Sequence, residues 1–495
     1  MGTLGRREWL IGCAAGVCGS SSWAQNLTAA EPISNLGINL QNLRSTQTLQ
    51  KSNLYRNRMI MELRGTIEVR EPLREGKKKE TRSAAIEAKS TLDFEEQFSA
   101  STEKSQINSS VRYFHEAQVE NSVATNGSSL QLNKDLSRIV VRYVDTDLQL
   151  HSPDGPLTPA ELDLLKMPCS TLAIHEILPE KNVQIQEKWT ITSQSLQRLL
   201  ALEAVHESEV IALIKTHQGN QIDIEFRGEL TGTAASVPTS IQIQGNLQAD
   251  LHSSSITWLA MVLKEKRQIS QSEPGFDVTA RVRLVRKPLQ EASQTIDLSL
   301  ANPSETELPS LLMQRIESTR GRYQMLADRR WRLIHDNGET GIMRLIENDR
   351  IISQCNIHQL PKLDAGQQVT LEAFQAEVRK SLDKNFESFI TSEEKLSETG
   401  LRMLRITTIG KTSDLPVQWI FYHLSDDSGR RLSMVFTAGG ELAEKLEGSD
   451  TQIATSLRFL ELPTEAKNEP TPATKPEAEV SSLPKETTAS PKKVK

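Results

Sequence analysis

The chain has few aromatic residues and no excess of positive charge. Phe, Trp and Tyr make up 4% of 495 residues, and 58 Lys and Arg are outnumbered by 64 Asp and Glu, a formal net charge of −6. Scarce aromatic side chains argue against a base-stacking surface, and a negative chain does not attract DNA, RNA or anionic lipid. We therefore expect no nucleic-acid partner.

Long apolar runs are missing as well. Beyond the first segment, no stretch approaches the roughly 18 apolar residues that a membrane-spanning helix requires. We predict no transmembrane span in the mature chain. The 37% hydrophobic and 25% charged residues are typical of globular domains, and the length suffices for two or three of them.

Cysteine is scarce, at four residues: Cys13, Cys18, Cys169 and Cys355. No CxxC motif and no Cys/His cluster with zinc spacing is present, so we expect no metal and no cofactor. Cys169 and Cys355 lie far apart in sequence. We favour two buried thiols in different domains, and a disulfide between them stays open as the alternative.

Motifs of familiar catalytic chemistry are also missing. His115, His175 and His206 each precede a glutamate, but none has the second histidine four positions later that a zinc-protease helix needs. The sequence has no GxSxG elbow, phosphate-binding loop or GxGxxG. We predict that these histidines, with His217, are surface or strand residues, and we expect no catalytic residues.

What the sequence does contain, at its start, is an export signal. Two arginines precede a short, mildly apolar stretch, and Ser22-Trp23-Ala24 supplies the small side chains that signal peptidase needs. The string Arg6-Arg7-Glu8-Trp9-Leu10 resembles the bacterial twin-arginine signal. We predict cleavage between Ala24 and Gln25, and a periplasmic or extracellular location. An ordinary secretory signal stays open.

A lipid anchor is the variant of this signal that the cysteines allow. Leu10-Ile11-Gly12-Cys13 spells a lipobox, but too few apolar residues separate Cys13 from Arg7. Cys18 is better spaced, although Val17 is too large for the position before a modified cysteine. We therefore favour a mature chain without a lipid.

Composition divides the rest of the chain. A stretch rich in Asn, Gln, Ser and Thr precedes a β-patterned region, a polar Pro-containing joint follows, and the end is rich in Pro, Glu, Lys and Thr. The predicted segments are a signal peptide (1–24), a linker (25–50), a β-rich domain (51–300), a linker (301–312), an α+β domain (313–462) and a disordered tail (463–495).

The β-rich domain shows alternating apolar and polar residues, which is typical of half-buried antiparallel strands. The predicted strands lie at 59–69, 139–145, 222–226, 241–244, 256–263 and 278–284. Thr158, Pro159 and Glu161 predict the start of a helix, and 193–200 a second one. We expect Trp189 and Trp258 to be core aromatics on strands.

The second domain mixes both patterns. A hairpin is predicted at 330–346, strands at 401–409, 418–424 and 431–437, and a last helix at 450–457. Apolar residues at helical spacing predict an amphipathic helix over 367–389. The predicted fold class is α+β: a mainly antiparallel β first domain, then an α/β sandwich.

Two resemblances follow from these motifs. Trp331-Arg-Leu, the helix after Leu371, Trp419-Ile-Phe-Tyr and the strand after Gly429 make residues 330–460 similar to the PsbP-like α/β sandwich. That resemblance implies a non-enzymatic adaptor. Residues 51–300 resemble uncharacterised secreted β-rich proteins of environmental bacteria, through pieces such as the one from Glu273 to Val278, and this likeness implies no activity.

We conclude from the sequence that the chain is an exported, non-enzymatic binding or assembly protein whose partner is an envelope protein or an apolar ligand. The alternative is a carrier that holds a lipid or other apolar ligand in the β-rich domain, and a third option is an extracytoplasmic hydrolase. A carrier needs a large apolar cavity, an adaptor an exposed apolar patch, and a hydrolase a nucleophile beside a base.

Overall fold

A computed structural model describes residues 37–44, 54–70, 81–99, 108–270 and 273–461. The described residues up to Phe459 belong to one compact unit. The predicted signal peptide and tail lie outside the described residues. None of the helices within the described ranges is long and apolar enough to cross a membrane.

The first half of the chain builds one antiparallel sheet of thirteen strands. Its strands are β1 Leu54–Arg70, β2 Thr81–Ser99, β3 Ser109–Val123, β4 Asn126–Gln131, β5 Arg138–Val144, β6 Asp147–His151, β7 Lys188–Thr190, β8 Ala204–Ser208, β9 Ile211–Gln218, β10 Gln221–Ala234, β11 Val237–Asp250, β12 Ser255–Arg267 and β13 Gly275–Pro288. The order across the sheet is β6-β5-β3-β2-β1-β13-β12-β11-β10-β9-β7, with β4 beside β3 and β8 beside β10.

Because buried and exposed positions alternate along these strands, every second side chain faces a single apolar core. Along β11, buried and exposed residues alternate for thirteen positions without a break. The inner residues of the long strands join one hydrophobic cluster, and the helices α1 Gln41–Arg44, α2 Pro159–Leu165 and α3 Ser193–Leu200 pack into it. The six strands predicted in this half are confirmed as β1, β5 and β10 to β13, while no strand range was predicted for β2, β3, β4 or β6 to β9.

Both helices predicted in this half are confirmed with their caps. Thr158 accepts a hydrogen bond from the Glu161 amide, and Glu161 accepts one from the Thr158 amide, which completes a capping box. The part of the predicted first linker that is described is not free chain. Leu40, which precedes α1, and Leu43 within it are buried in the core, and Ile38 pairs with Val183.

The second half builds two smaller antiparallel sheets. Three strands form one sheet: β14 Gln314–Ser318, β15 Tyr323–Ala327 and β23 Arg458–Phe459. Seven form the other, in the order β16 Trp331–Asp336, β17 Thr340–Glu347, β18 Arg350–Leu360, β22 Arg431–Gly439, β21 Leu415–Ser425, β20 Arg402–Thr412 and β19 Phe386–Leu396. The helices are α4 Leu308–Leu311, α5 Leu371–Leu382 and α6 Ser449–Ser456.

The fold is richer in strands than the predicted α+β class. The main reason is the number of strands that were not predicted, such as β2, β3 and β9. In addition, the helix predicted over 367–389 ends at Leu382 and a strand begins at Phe386. Phe386 and Phe389 kept the helical spacing of apolar residues, but they pack against the core from β19. The hairpin, the strands at 401–437 and the last helix are confirmed.

The two halves have separate apolar cores but direct contacts. One core draws on residues 40–284 and another on residues 316–457. The Arg315 amide donates to the Leu157 carbonyl, and the Arg329 guanidinium donates to the Leu150 carbonyl at 2.6 Å. In the predicted joint 301–312, Ala301 is buried against β3 and β5. Independent folding of the halves stays a prediction.

Candidate functional site

One segment of the first half must cross the inner face of the thirteen-stranded sheet. β6 lies at one end of the strand order and β7 at the other, and residues 152–187 connect them. We call residues 157–202, which carry α2 and α3, the inserted segment. The inserted segment follows β6 at one edge of the sheet and pairs through β7 at the opposite edge. It therefore covers the apolar inner face between these edges.

A buried carboxylate holds the inserted segment to the sheet. Glu96 of β2 is fully buried and accepts hydrogen bonds from Arg112 Nε at 2.8 Å and from the hydroxyl of Ser110 at 2.9 Å on β3. It also accepts one from Thr171 of the inserted segment at 2.8 Å, and Arg112 Nη2 donates to the same hydroxyl oxygen. Glu96 therefore joins two strands and the segment at one point.

A buried arginine makes the second polar contact. Arg286 of β13 is 1% exposed, and its Nη1 lies 3.1 Å from His175 Nε2 in the inserted segment. His175 Nδ1 lies 3.0 Å from the Leu43 carbonyl of α1. A carbonyl only accepts and a guanidinium only donates, so the imidazole is neutral with its proton on Nδ1. The guanidinium carbon also stands 3.9 Å from the ring centre of Tyr55.

We call Glu96, Arg112, Thr171, His175 and Arg286 the buried polar cluster. The protonation states of its groups oppose acid–base catalysis near neutral pH. Burial would raise the pKa of Glu96, but the charges of Arg112 and Arg286 outweigh it and leave the pKa lowered. Burial, helped by Arg286, lowers the pKa of His175 to about 3, and burial raises that of the Cys169 thiol to about 12. The carboxylate is thus charged, the imidazole neutral and the thiol protonated, which suits structural roles.

The space between the sheet and the inserted segment is filled. The cavity there measures about 10 Å³ and is lined by Met59, Arg112, Leu165 and Cys169 among others. That volume suits about one water molecule, not an acyl chain. The large apolar cavity that the carrier interpretation requires is not found at this position.

The second half exposes apolar side chains at one end of the seven-stranded sheet. Leu396 is 75%, Leu415 68% and Ile390 51% exposed, and Ile409 is more than a third exposed. They lie on β19, β20 and β21, the last three strands in the order. We call these four residues the apolar strip. Leu396 and Leu415 are not adjacent, because Leu396 is opposite Arg402 at one end of β20 and Leu415 is opposite Thr412 at the other end. Large apolar residues exposed on an edge strand, as Ile390 and Leu396 are, are a common mark of an interaction surface.

β19 is also the edge strand of this sheet, and its pairing with β20 is uneven. The register shifts between Phe386 and Ser388 and again between Phe389 and Thr391, next to Ile390 of the apolar strip. From Thr391 to Leu396 the pairing with β20 is regular. An edge strand offers unpaired backbone groups to another chain, and bulges restrict where that chain can pair.

The structure places the residues that the sequence analysis singled out as follows. Ala24 and Gln25, the predicted cleavage site, lie outside the described residues, as do Cys13 and Cys18. Cys169 and Cys355 are both buried free thiols. No group of His, Cys, Asp and Glu that could hold a metal is found among the described residues.

Two of those expectations were wrong. His175 is not a surface or strand residue, because it is 3% exposed in a short 3-10 helix of the inserted segment. Trp258 is not in the core: it is half-buried and pairs with the exposed residues Gln248 and Val285, so it lies on the outer face of the sheet. Trp189 is buried, as predicted, and donates to the Ile177 carbonyl.

The sequence analysis missed Glu96, Arg112 and Arg286. The alternation of apolar and polar residues contains a signal for two of them, Glu96 and Arg286. Arg286 follows Val278, Ala280, Val282 and Leu284 at the next inward position, and Glu96 stands between Phe94 and Phe98 in the same way. A charged residue that continues an apolar alternation predicts a buried ionic contact.

Comparisons with known proteins give weak likenesses. No family model matches the chain, and no curated protein matches it. Among solved structures, cyanobacterial PsbP from Synechocystis sp. PCC 6803 is 14% identical, with 30% of this chain and 92% of that chain covered and a TM-score of 0.24. A protein of unknown function from Pseudomonas aeruginosa is 13% identical, over 31% of this chain and 99% of its own, with a TM-score of 0.21.

A third solved structure, from Bacteroides thetaiotaomicron, is 12% identical, with 30% of this chain and 48% of that chain covered and a TM-score of 0.22. The match to PsbP agrees in kind with the resemblance noted from the sequence, at low coverage. Likenesses this slight carry no argument about activity or partners.

Proposed function

We propose that this chain is an exported, non-enzymatic binding or assembly protein that holds a protein partner at the apolar strip. The observation that carries the proposal is the exposure of Ile390 and Leu396 on β19, the edge strand of the sheet. A partner strand placed beside Thr391–Leu396 would use the backbone groups of the edge and bury the apolar side chains.

The ionisable side chains around the apolar strip support a role in binding rather than in catalysis. Glu394 accepts from Arg402 at 2.7 Å, and Glu393 lies 3.5 Å from Arg405. These pairs fix the side chains beside the strip and give it a polar rim. An apolar centre with a charged rim is the usual arrangement of a protein interface.

Affinity capture with matched variants tests the proposal. The mature protein and its Leu396→Ser/Leu415→Ser variant are used to capture proteins from an extract of their own cell envelope. We expect a specific protein whose yield falls about tenfold or more in the variant, because interface anchors often contribute more than about 1.4 kcal/mol. Val144→Ser, a 39% exposed apolar residue in the first half, is the control and should leave the yield unchanged. Equal yields from all three proteins would refute the proposal.

Export is part of the proposal and has its own test. It rests on Arg6, Arg7 and the Ser22-Trp23-Ala24 sequence. The intact mass of the envelope form should correspond to a chain that begins at Gln25. A mass that shows a diacylglyceryl group on Cys13 or Cys18 would contradict this and favour the lipoprotein.

The carrier is a second candidate because the inserted segment covers a continuous apolar face. With about 10 Å³ between the segment and the sheet, a lipid could enter only if the segment moved away. Purified protein would then carry a stoichiometric lipid, detectable by native mass spectrometry. A lipid-free mass under native conditions, with no uptake of added oleate, would exclude the carrier.

A further inference from the structure

The outer face of the thirteen-stranded sheet carries an open groove of about 430 Å³ across β10, β11 and β12. The polar side chains that line it are those of Glu209, Arg227, Glu229, Gln242, Gln244 and Lys264. The groove lies on the face opposite the inserted segment, because these positions alternate with the buried residues of the same strands. It is therefore separate from the buried polar cluster.

A glycine lets two backbones approach closely beside the groove. β10 pairs with β9 as far as Arg227 and with β8 from Leu230 onward. Between these points a Cβ on Gly228 would stand 2.3 Å from the Glu209 carbonyl oxygen, so a side chain at 228 would force one of the backbones to move. Gly228 and Glu209 both line the groove, so a side chain at 228 would alter its wall.

The charges of the groove cancel. Arg227 and Lys264 supply two positive charges, and Glu209 and Glu229 supply two negative ones. A groove with no net charge selects neither a polyanion nor a polycation. The ligand that fits it is polar and neutral.

Amide side chains form a regular stripe that begins in the groove and continues beyond it. Gln242 and Gln244 line the groove, and Asn246 and Gln248 follow at alternate, exposed positions of β11, so the four span about 20 Å at roughly 3.3 Å per residue. Two are held by neighbouring carboxylates: Gln242 Nε2 donates to Glu229 Oε1 at 2.9 Å, and Gln248 Nε2 donates to an oxygen of Asp223 at 2.9 Å. An amide has two N–H donors and an acceptor oxygen, so even these two have a second N–H and the oxygen for a ligand rich in hydroxyl groups.

An aromatic ring lies at one end of the stripe. Trp258 of β12 is directly opposite Gln248, and Ala260 and Val262 continue the same face toward the groove. A pyranose ring has hydroxyl groups at its rim and apolar C–H groups on its faces. The amide side chains can bind the hydroxyl groups of such a ring, and the indole of Trp258 can pack on its apolar face. The two together therefore match a carbohydrate.

The backbone of these strands is already occupied. β11 is hydrogen-bonded to β10 on one side and to β12 on the other along most of its length. A peptide could not add to the sheet here as a strand, and recognition must come from side chains. We propose that the groove, with the amide stripe and Trp258, binds a neutral oligosaccharide of several units.

Titration calorimetry with the full-length protein tests this proposal. The probes are cellopentaose and chitopentaose, with a heparin oligosaccharide as the anionic comparison. We expect one of the neutral probes to bind, and the Gln242→Ala/Gln244→Ala variant to weaken binding about tenfold or more, since each lost hydrogen bond contributes about 0.5–1.5 kcal/mol. Gln368→Ala, an exposed amide in the second half, is the control and should bind as wild type.

A second measurement locates the ligand. Binding of the neutral probe should reduce the quenching of Trp258 fluorescence by iodide, with Trp258→Phe as the variant that identifies the signal. No binding by either neutral probe, or equal binding by the double variant, would overturn the proposal. Tighter binding of the heparin probe, or loss of a captured protein in the double variant, would also overturn it in favour of another ligand class.

This inference is independent of the apolar strip. Loss of glycan binding in the groove variant with partner capture unchanged would leave the proposed function standing. Glycan binding together with equal capture by the strip variant would retain the groove and refute the strip. The two failures are therefore distinguishable.

Discussion

The two halves of the molecule both bury an arginine–carboxylate contact, but at different depths. In the first half the side chains of Glu96 and Arg112 are 0% and 8% exposed. In the second, Asp450 of α6 accepts hydrogen bonds from Tyr422 at 2.7 Å and from Arg405 at 3.0 Å, and these ionic side chains are 4% and 19% exposed. The Glu96–Arg112 pair is covered by the inserted segment, whereas Arg405 of the Asp450 pair is partly exposed to solvent.

The difference in depth indicates what each pair does. A fully buried ion pair contributes little net stability, because desolvation offsets the attraction, but removal of one partner is strongly destabilising. The cluster around Glu96 therefore specifies how the inserted segment packs, since an apolar core alone would not fix its position. The pair at Asp450 anchors the first turn of α6 to β20 and β21, where solvent weakens the interaction.

Glu96→Ala is the largest expected effect. It leaves the guanidinium groups of Arg112 and Arg286 buried without their carboxylate, so we expect the free energy of unfolding to fall by about 3–5 kcal/mol. Asp450→Ala should cost about 1–3 kcal/mol, because the buried hydroxyl of Tyr422 loses its acceptor while the partly exposed Arg405 can turn toward water. Equilibrium unfolding in urea measures both.

The control for these variants is Glu87→Ala. Glu87 pairs with Arg64 on the outer face, and both side chains are more than half exposed, so the change should stay within about 0.5 kcal/mol. A larger effect for Asp450→Ala than for Glu96→Ala would reverse the comparison. It would also show that the inserted segment is held mainly by apolar contacts.

Acidification should affect the molecule through three buried histidines, His151 and His175 in the first half and His423 in the second; burial also lowers the pKa of His151, to about 4. The unfolded chain binds a proton on histidine with a pKa of about 6.5, but burial lowers the pKa of His175 to about 3 and that of His423 to about 4. Below about pH 6.5 the unfolded state binds more protons, so stability falls with pH by about 1.4 kcal/mol per unit for each group. For His175 this loss continues to about pH 3, and for His423 to about pH 4.

Urea unfolding between about pH 7 and pH 5 checks this slope, with about 2 kcal/mol expected from His175 alone. The His175→Gln variant should lose that part of the slope, and His151→Gln and His423→Gln should each lose their own part. The same slope in His175→Gln as in wild type would mean that the imidazole is already charged in the native protein. That result would contradict the acceptance of a hydrogen bond from Arg286 by Nε2, because both nitrogens of a charged imidazole are donors.

Local patterns predicted many of the elements but not their assembly. Alternation located β1, β5 and β10 to β13, and the Thr158–Glu161 pair located α2, because these signals lie within a few residues. The order of thirteen strands depends on pairings such as β1 with β13, more than two hundred residues apart. Nothing local in the chain specifies which distant strand will be the neighbour.

The candidate sites show the same limit. The inward positions of Glu96 and Arg286 follow from alternation, yet their partners Thr171 and His175 come from a segment whose path is set by the strand order. Trp258 was assigned to the wrong face because a register shift between Gln248 and Ala249 interrupts its strand pairing. A bulge changes which face a residue occupies and leaves little trace in the sequence.

The smallest expected effect on stability concerns the apolar strip. Leu396→Ser/Leu415→Ser removes two side chains that are more than two thirds exposed, so the free energy of unfolding should change by less than about 0.5 kcal/mol. Leu404→Ala on the neighbouring strand removes a fully buried side chain and should cost about 2–5 kcal/mol. If the double variant were destabilised as much as Leu404→Ala, the strip would belong to the core. Unchanged stability combined with lost partner capture would instead assign these residues to binding, since selection for folding alone does not account for leucines held in water at a sheet edge.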